Sequence, residues 1–258
     1  MAKKIELIDV TQANVAESGF FCYMSKRKSE GFLRKLGWVR ARLDEGMRIK
    51  MLNLPERGFI EYIPGEFAWR VVRGAEPYMF IHCLWVVGRS KGKGFGARLL
   101  DECIRDAKKA GMAGVAMVTS EGTWLAGKRL LLNHGFMPVG QAPPSFTLVV
   151  KTFKAVPWPS FPDDWKARAK RFGKGLTVLR SDQCPYLEDA TDTLLEAAAE
   201  KGIKSRVIEM DSAGEAKRFS PSPYGVFNVV LDGRLLSYRY LLMEEFFRML
   251  ESELPCAR

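Results

Sequence analysis

Leu84-Trp85-Val86-Val87-Gly88-Arg89-Ser90-Lys91-Gly92-Lys93-Gly94-Phe95-Gly96-Ala97-Arg98-Leu99-Leu100 runs from an apolar stretch, through a turn rich in glycine, into a helix-patterned segment. The apolar run Tyr78–Val87, full of aromatic and β-branched residues, predicts a buried strand. The helix it leads to is expected over Phe95–Ala110, with Leu99, Leu100, Cys103, Ile104 and Ala107 facing inward and Gly111 suited to the C-cap. Unpaired N–H groups at a helix start form an anion site. The glycines allow a pyrophosphate to approach the main chain closely, and Lys91, Lys93 and Arg98 add positive charge.

Other phosphate loops fail on detail. A Walker loop would close Gly-Lys-Ser/Thr, but Gly94 follows Gly92-Lys93. The dinucleotide fingerprint Gly-x-Gly-x-x-Gly needs glycine where Ala97 stands. A glycine-rich turn that binds nothing is the plain alternative.

Outward from the loop, strands are expected at Lys4–Thr11, Met47–Leu52, Gly58–Ile63, Val115–Thr119 and Ser145–Phe153. Helices are expected at Ser29–Glu45, with Phe32, Leu36, Val39 and Leu43 on its buried stripe, and at Thr123–Asn133. Prolines at 157, 159 and 162 mark residues 154–173 as a linker between two domains, and Trp158, Phe161 and Trp165 suggest that it packs on one of them. Beyond it the order is strand (Leu176–Leu179), helix (Leu187–Lys201), strand (Lys204–Glu209), short helix (Ala213–Arg218), a hairpin (Val226–Leu231, Arg234–Tyr238) around Asp232-Gly233, and a helix from Met243 to Leu250.

The chain has 258 residues, 47% of them hydrophobic, with a net charge of +10. That length suits two domains. A basic balance fits a nucleic acid, an anionic cofactor or an acidic acceptor, and no nucleic-acid motif is present. No apolar run is long enough for a membrane helix. The start, Met-Ala-Lys-Lys-Ile, carries no apolar signal region, so a cytoplasmic protein is expected. Five scattered cysteines (Cys22, Cys83, Cys103, Cys184, Cys256) and two histidines (His82, His134) lack metal-ligand spacing, so no metal is expected.

Lys91-Gly92-Lys93-Gly94-Phe95-Gly96 resembles the GNAT acyltransferase signature Gln/Arg-x-x-Gly-x-Gly/Ala, with Lys91 opening the motif and Gly94 and Gly96 closing it. A register opened by Arg89, with Gly92 and Gly94, is the other reading. Gly114–Ser120, Trp124–Asn133 and Gly135-Phe136 look like that family's fifth strand, fourth helix and closing Gly-Phe. The resemblance implies an α/β (α+β) fold with a mixed, mostly antiparallel sheet over residues 1–153. It implies acetyl-CoA as cosubstrate, an amine as acceptor, and Leu84, Val86, Val87, Lys91, Gly92, Lys93, Gly94, Phe95, Gly96 and Ala97 as cofactor contacts. Backbone N–H groups at Val86 and Val87 would polarise the thioester carbonyl. The family's usual tyrosine acid corresponds to Leu131, so another proton donor is required.

His82 is the leading base, with an ordinary pKa suited to neutral pH; a structural histidine bonded within the sheet is the alternative. Strand alternation puts His82 on one face with Phe80 and Leu84, and Cys83 opposite. Glu61 and Glu66 rank behind His82, and Glu121, just past the fifth strand, is another candidate. His134 is expected to be exposed. The basic residues Lys26, Arg27, Lys28, Arg34, Lys35, Arg40 and Arg42 read as a solvated face, with an acidic or nucleic-acid acceptor as the alternative.

In residues 174–258, the strand order and Cys184-Pro185-Tyr186 at a helix start resemble the thioredoxin fold, although Leu187 replaces the second cysteine of its redox motif. Pro223 falls where that fold carries its cis-proline. Cys184 would feel the helix dipole, which lowers a thiol pKa, and is a possible reactive thiol. Together the two parts resemble the YoaP-like group, and Gly19-Phe20-Phe21-Cys22-Tyr23-Met24, Tyr62-Ile63-Pro64-Gly65-Glu66 and Ala142-Pro143-Pro144 carry that likeness. An N-acyltransferase is the leading expectation. The alternatives are a protein that binds or senses acyl-CoA without transfer, and a thiol-reactive module on the same scaffold.

Overall fold

The computed structural model describes residues 6–122 and 125–253. Lys4, Ile5, Thr123, Trp124 and Cys256, which entered the expectations above, lie outside them. Seven strands form one mixed sheet: β1 (Leu7–Val10), β2 (Arg48–Leu52), β3 (Gly58–Pro64), β4 (Tyr78–Val86), β5 (Gly114–Ser120), β6 (Met137–Ala142) and β7 (Phe146–Thr152). Their order is β1-β2-β3-β4-β5-β7-β6, and the β4–β5 pair alone is parallel. Sequence reading missed β6, because Pro138 and Gly140 disguise it; its register to β7 shifts at that point, as an edge strand permits.

Four further strands, β8 (Leu176–Arg180), β9 (Ser205–Glu209), β10 (Phe227–Leu231) and β11 (Arg234–Ser237), form a second sheet of order β11-β10-β8-β9. In it β8 and β9 run parallel and the other pairs antiparallel. The β10–β11 turn has positive φ at both Asp232 and Gly233, the geometry a two-residue hairpin of this twist requires.

Eight helices complete the described chain: α1 (Val15–Ser18), α2 (Glu30–Asp44), α3 (Phe95–Lys109), α4 (Arg129–Asn133), α5 (Trp165–Lys170), α6 (Leu187–Glu200), α7 (Ala213–Phe219) and α8 (Met243–Glu253). Ser29 caps α2 by accepting the Phe32 N–H, which satisfies one of its first donors. Helix α4 is shorter than expected. Helix α5 lies within the proline-rich segment expected to be a linker packed on one domain. There Ser160 bridges to Arg73 and Tyr78 donates to the Pro157 carbonyl, so the segment packs on the first sheet.

One face of the large sheet is covered by α3. Leu99, Leu100, Cys103 and Ala107 are fully buried against Ile60, Met79, Ile81, Val115 and Val149, and each large apolar side chain there contributes about 1.5–3 kcal/mol. The other face packs under α2, and its core is continuous with that of the second sheet, joining Phe32, Trp38, Trp69 and Phe80 to Leu179, Leu187 and Phe227.

Candidate functional site

Strands β4 and β5 pair only from Tyr78↔Gly114 to Ile81↔Met117. Beyond that, β4 stays with β3 as far as Val86, and β5 stays with β7 as far as Ser120. The sheet therefore splits into a wedge at the end of β4. Val87 N–H donates to the Arg57 carbonyl at 3.0 Å. Backbone alternation then turns the N–H groups of Leu84 and Val86 away from β3, toward the wedge. This corrects the expectation for Val87, whose N–H is already engaged.

After β4 the chain makes a short 3-10 turn at Gly88–Ser90, then enters α3 through Gly92 (φ 77°) and Gly94 (φ 79°). Gly94 is the N-cap and offers no side chain to the helix start. Lys91, Gly92, Lys93 and Gly94 are exposed, while Phe95, Gly96, Ala97 and Arg98 are half-buried. The first N–H groups of α3 therefore open toward solvent and basic side chains, as an anion site needs. Ser90 fixes the loop from behind: it accepts from Arg57 N–H at 2.9 Å and donates to Glu56 at 2.6 Å. Glu56 also pairs with Lys93 at 3.1 Å, and these hydrogen bonds from Ser90 and Lys93 hold its carboxyl below the usual range.

A cavity of about 360 Å³ opens beside the wedge. Leu84, Trp85 and Met117 form its wedge side, and Gln183, Cys184, Pro185, Tyr186 and Tyr224 form a wall from the second sheet and its loops. The buried carboxylate of Glu61 lines it. Lys35 Nζ donates to this carboxylate at 2.6 Å and Gln183 Nε2 at 2.9 Å. Burial alone would raise the Glu61 pKa, but the Lys35 ammonium and the His82 ring together outweigh it and bring the value down to about 2.

His82 also lines the cavity. Its Nε2 accepts the Trp69 N–H at 3.0 Å, so the proton of the neutral ring sits on Nδ1, which has no hydrogen-bond partner and faces Glu61 Oε1 at 3.5 Å. Burial lowers the His82 pKa to about 4. The ring is thus neutral near pH 7, with its basic lone pair occupied. The β3–β4 register jumps here: Glu61 opposes Cys83 and Tyr62 opposes Ile81, leaving His82 as the extra residue of a β-bulge. A bulge breaks strict alternation. Cys83, expected on the opposite face, lines the same cavity as His82.

Glu121 is exposed, pairs with Lys128 at 3.1 Å, and is absent from the cavity lining. Leu131 is fully buried against α3. His134 is half-buried, its Nδ1 2.8 Å from the Leu130 carbonyl. Cys184 lines the cavity, and burial pushes its thiol up to about 11, the reverse of the helix-dipole expectation. Among the described residues the cis peptide bonds are Leu54–Pro55 and Pro143–Pro144; Ser222–Pro223 is not among them.

Several of the basic residues read as solvated are not: Arg42 is largely buried over Trp38 and Trp69 and pairs with Glu45 at 2.7 Å. Arg34 pairs with Asp182 at 2.8 Å and Glu209 at 2.9 Å, and Lys35 is buried against Glu61. Lys35 falls three residues after Phe32 and four before Val39, in phase with the buried stripe, which is the signal that could have found it. Gln183, Tyr186 and Tyr224 were missed because nothing local in the sequence brings the second sheet to the wedge. Among the described residues, no group of three or more His, Cys, Asp or Glu could hold a metal ion, and no helix is long and apolar enough to cross a membrane.

A split sheet, a glycine-opened helix start and an open cavity at the split together fit an acyltransferase architecture. Residues 23–136 match the model of the acetyltransferase (GNAT) family. The uncharacterized N-acetyltransferase YoaP of Bacillus subtilis (strain 168) is 32% identical over 249 residues, covering 95% of this chain and 98% of that one. The chain belongs to the GNAT acetyltransferase family. Solved structures of similar fold include YncA of Salmonella typhimurium, described with its cofactor acetyl-CoA (17% identity, 62% of this chain and 98% of that one, TM-score 0.45). Another is the ribosomal-protein-alanine N-acetyltransferase of Brucella melitensis (16% identity, 57% and 99%, TM-score 0.43).

Proposed function

We propose that this protein transfers an acetyl group from acetyl-CoA to an amine held in the cavity between the two sheets. The observation that carries the reading is continuity. The anion-binding start of α3, the open N–H groups of Leu84 and Val86, and the cavity around Glu61 lie in sequence along one strand–loop–helix path. The pyrophosphate binds the N–H groups at Gly94–Ala97, with Lys91 and Lys93 adding charge. The pantetheine arm lies along the wedge. The thioester carbonyl accepts hydrogen bonds from β4, which stabilises the oxyanion of the tetrahedral intermediate.

The side chains of His82 and Glu61 hold the cavity wall in place rather than remove a proton. Tyr186 and Tyr224 line the cavity, and burial raises both phenol pKa values. They remain protonated at neutral pH and serve as hydrogen-bond donors to a departing thiolate rather than as its acid, because a raised pKa makes a phenol the weaker proton donor. We take residues 1–153 as the acyl-CoA domain, 154–173 as a segment docked on it, and 174–258 as a thioredoxin-like domain. The last reading is supported by the order β9-β8-β10-β11 with β8 and β9 parallel. In this chain it serves as a wall of the acceptor cavity.

Gly94→Glu tests the cofactor site. Calorimetry should show acetyl-CoA binding to the wild type and a loss of at least about tenfold in the variant, because a carboxylate at a positive-φ position opposes the pyrophosphate. Equal affinity in the two proteins would remove the loop from the site.

A further inference from the structure

Acyl transfer to an amine requires an uncharged nitrogen, because an ammonium has no lone pair to attack with. An enzyme that accepts ammonium ions needs a base at the acceptor. None of the described groups lining this cavity provides one. The lone pair of His82 Nε2 is taken by the Trp69 N–H. The Glu61 carboxylate is held by Lys35 and Gln183. Cys22, Cys83 and Cys184, which also line the cavity, are all kept protonated by burial.

The charge balance of the wall points the same way. Lys35 and Glu61 cancel. Just behind them is Arg70, 1% exposed, whose guanidinium donates only to uncharged oxygens: Trp69 O at 2.8 Å, His82 O at 2.6 Å and Gln183 Oε1 at 3.0 Å. Two cations thus face one carboxylate, and the excess positive charge repels an incoming ammonium in a poorly solvated site. The remaining wall is apolar or aromatic, with Phe59, Trp85, Tyr186 and Tyr224.

We propose that the acceptor is a weakly basic amine that enters the cavity already uncharged, either an α-amino group or an arylamine, and not an alkylammonium such as a lysine side chain or a polyamine. This rests on the acyl-transfer reading above. The nitrogen lone pair attacks the thioester carbonyl carbon, the C–N bond forms and the C–S bond breaks. The electron pair leaves on sulfur, and the proton lost from nitrogen ends on it. The products are the N-acetylated amine and free CoA thiol, with no net proton exchanged with solvent.

The test uses the full-length wild type with saturating acetyl-CoA at pH 7.5, reading CoA thiol release. The probes are an alanyl dipeptide, aniline and an Nα-blocked lysine. An α-amino group of pKa about 7.8 is roughly one-third uncharged at this pH, and a lysine amine of pKa about 10.4 roughly one-thousandth. The expected kcat/KM for the dipeptide exceeds that for blocked lysine by about 250-fold, and that for aniline, which is uncharged at this pH, exceeds it by more than about 100-fold. The two weakly basic arms separate an α-amino acceptor from an aromatic one. For the dipeptide, kcat/KM should rise tenfold per pH unit and level off near the pKa of the amine itself. Comparable or faster acetylation of blocked lysine overturns the proposal. So does a plateau set by an enzyme group well below the amine pKa, or acetyl-CoA binding with no turnover of either weakly basic probe. Failure to bind acetyl-CoA in the calorimeter would instead bring down the acyl-transfer reading itself.

Discussion

At the residue scale, the decisive group is the Lys35–Glu61 pair with His82 beside it. Removing one partner of a buried pair leaves the other charge uncompensated, so Lys35→Met should cost about 3–5 kcal/mol in urea unfolding. The same cluster sets the acid limit of stability. The His82 pKa is depressed from 6.5 to about 4 in the fold and the Glu61 pKa from 4.5 to about 2. For both, the unfolded chain takes up protons first as pH falls. The His82 contribution is therefore complete above pH 6.5 and lost on descending toward about 4; that of Glu61 is complete above about 4.5 and lost toward about 2. Urea midpoints should fall steadily from pH 7 to pH 4.5 in the wild type. His82→Gln, which keeps an acceptor for the Trp69 N–H, should flatten that fall.

At the element scale, α2 shows how one helix can give opposite answers to the same substitution. Glycine to alanine in a helix interior ordinarily stabilises by about 1 kcal/mol. Gly37 has open space around it, and Gly37→Ala should follow that rule. At Gly31 an added Cβ would overlap the carbonyl oxygen of Pro185, part of the cavity wall. Gly31→Ala should lower the melting temperature and raise the acceptor KM while leaving acetyl-CoA affinity unchanged. Equal effects of the two substitutions would show that α2 does not brace that wall.

What the sequence made legible divides along similar lines. Glycines at 92 and 94, the Leu99-Leu100 pair and the Asp232-Gly233 turn announce themselves because their reasons are local: a positive φ, a helical period, a hairpin twist. The loop and both strand–helix–strand units were readable for that cause. The bulge at His82 was not, since it exists only in the register between β3 and β4. Lys35 looked like a surface charge because its partner is 26 residues away, and Cys184 looked activated because its burial is tertiary.

At the scale of the whole molecule, one apolar core runs through both sheets. Arg34 adds a charged clasp to Asp182 and Glu209, and Ser120 bonds Tyr238 at 2.7 Å. The two halves should therefore unfold as one cooperative unit, giving a single calorimetric transition whose van't Hoff and calorimetric enthalpies agree. Two resolved transitions would mean that the shared core is weaker than its packing implies.

The divided ownership of the cavity has a consequence for descent. On the proposed function, one half of the gene holds the donor and the other contributes one wall of the cavity that the acceptor meets. Changes drifting into residues 183–186 or 224 can retune which amine is taken without touching the donor machinery. Lineages that inherit the same loop at 91–96 are then free to diverge in diet, and exchanging the C-terminal halves of two relatives should transplant the appetite of one onto the chemistry of the other.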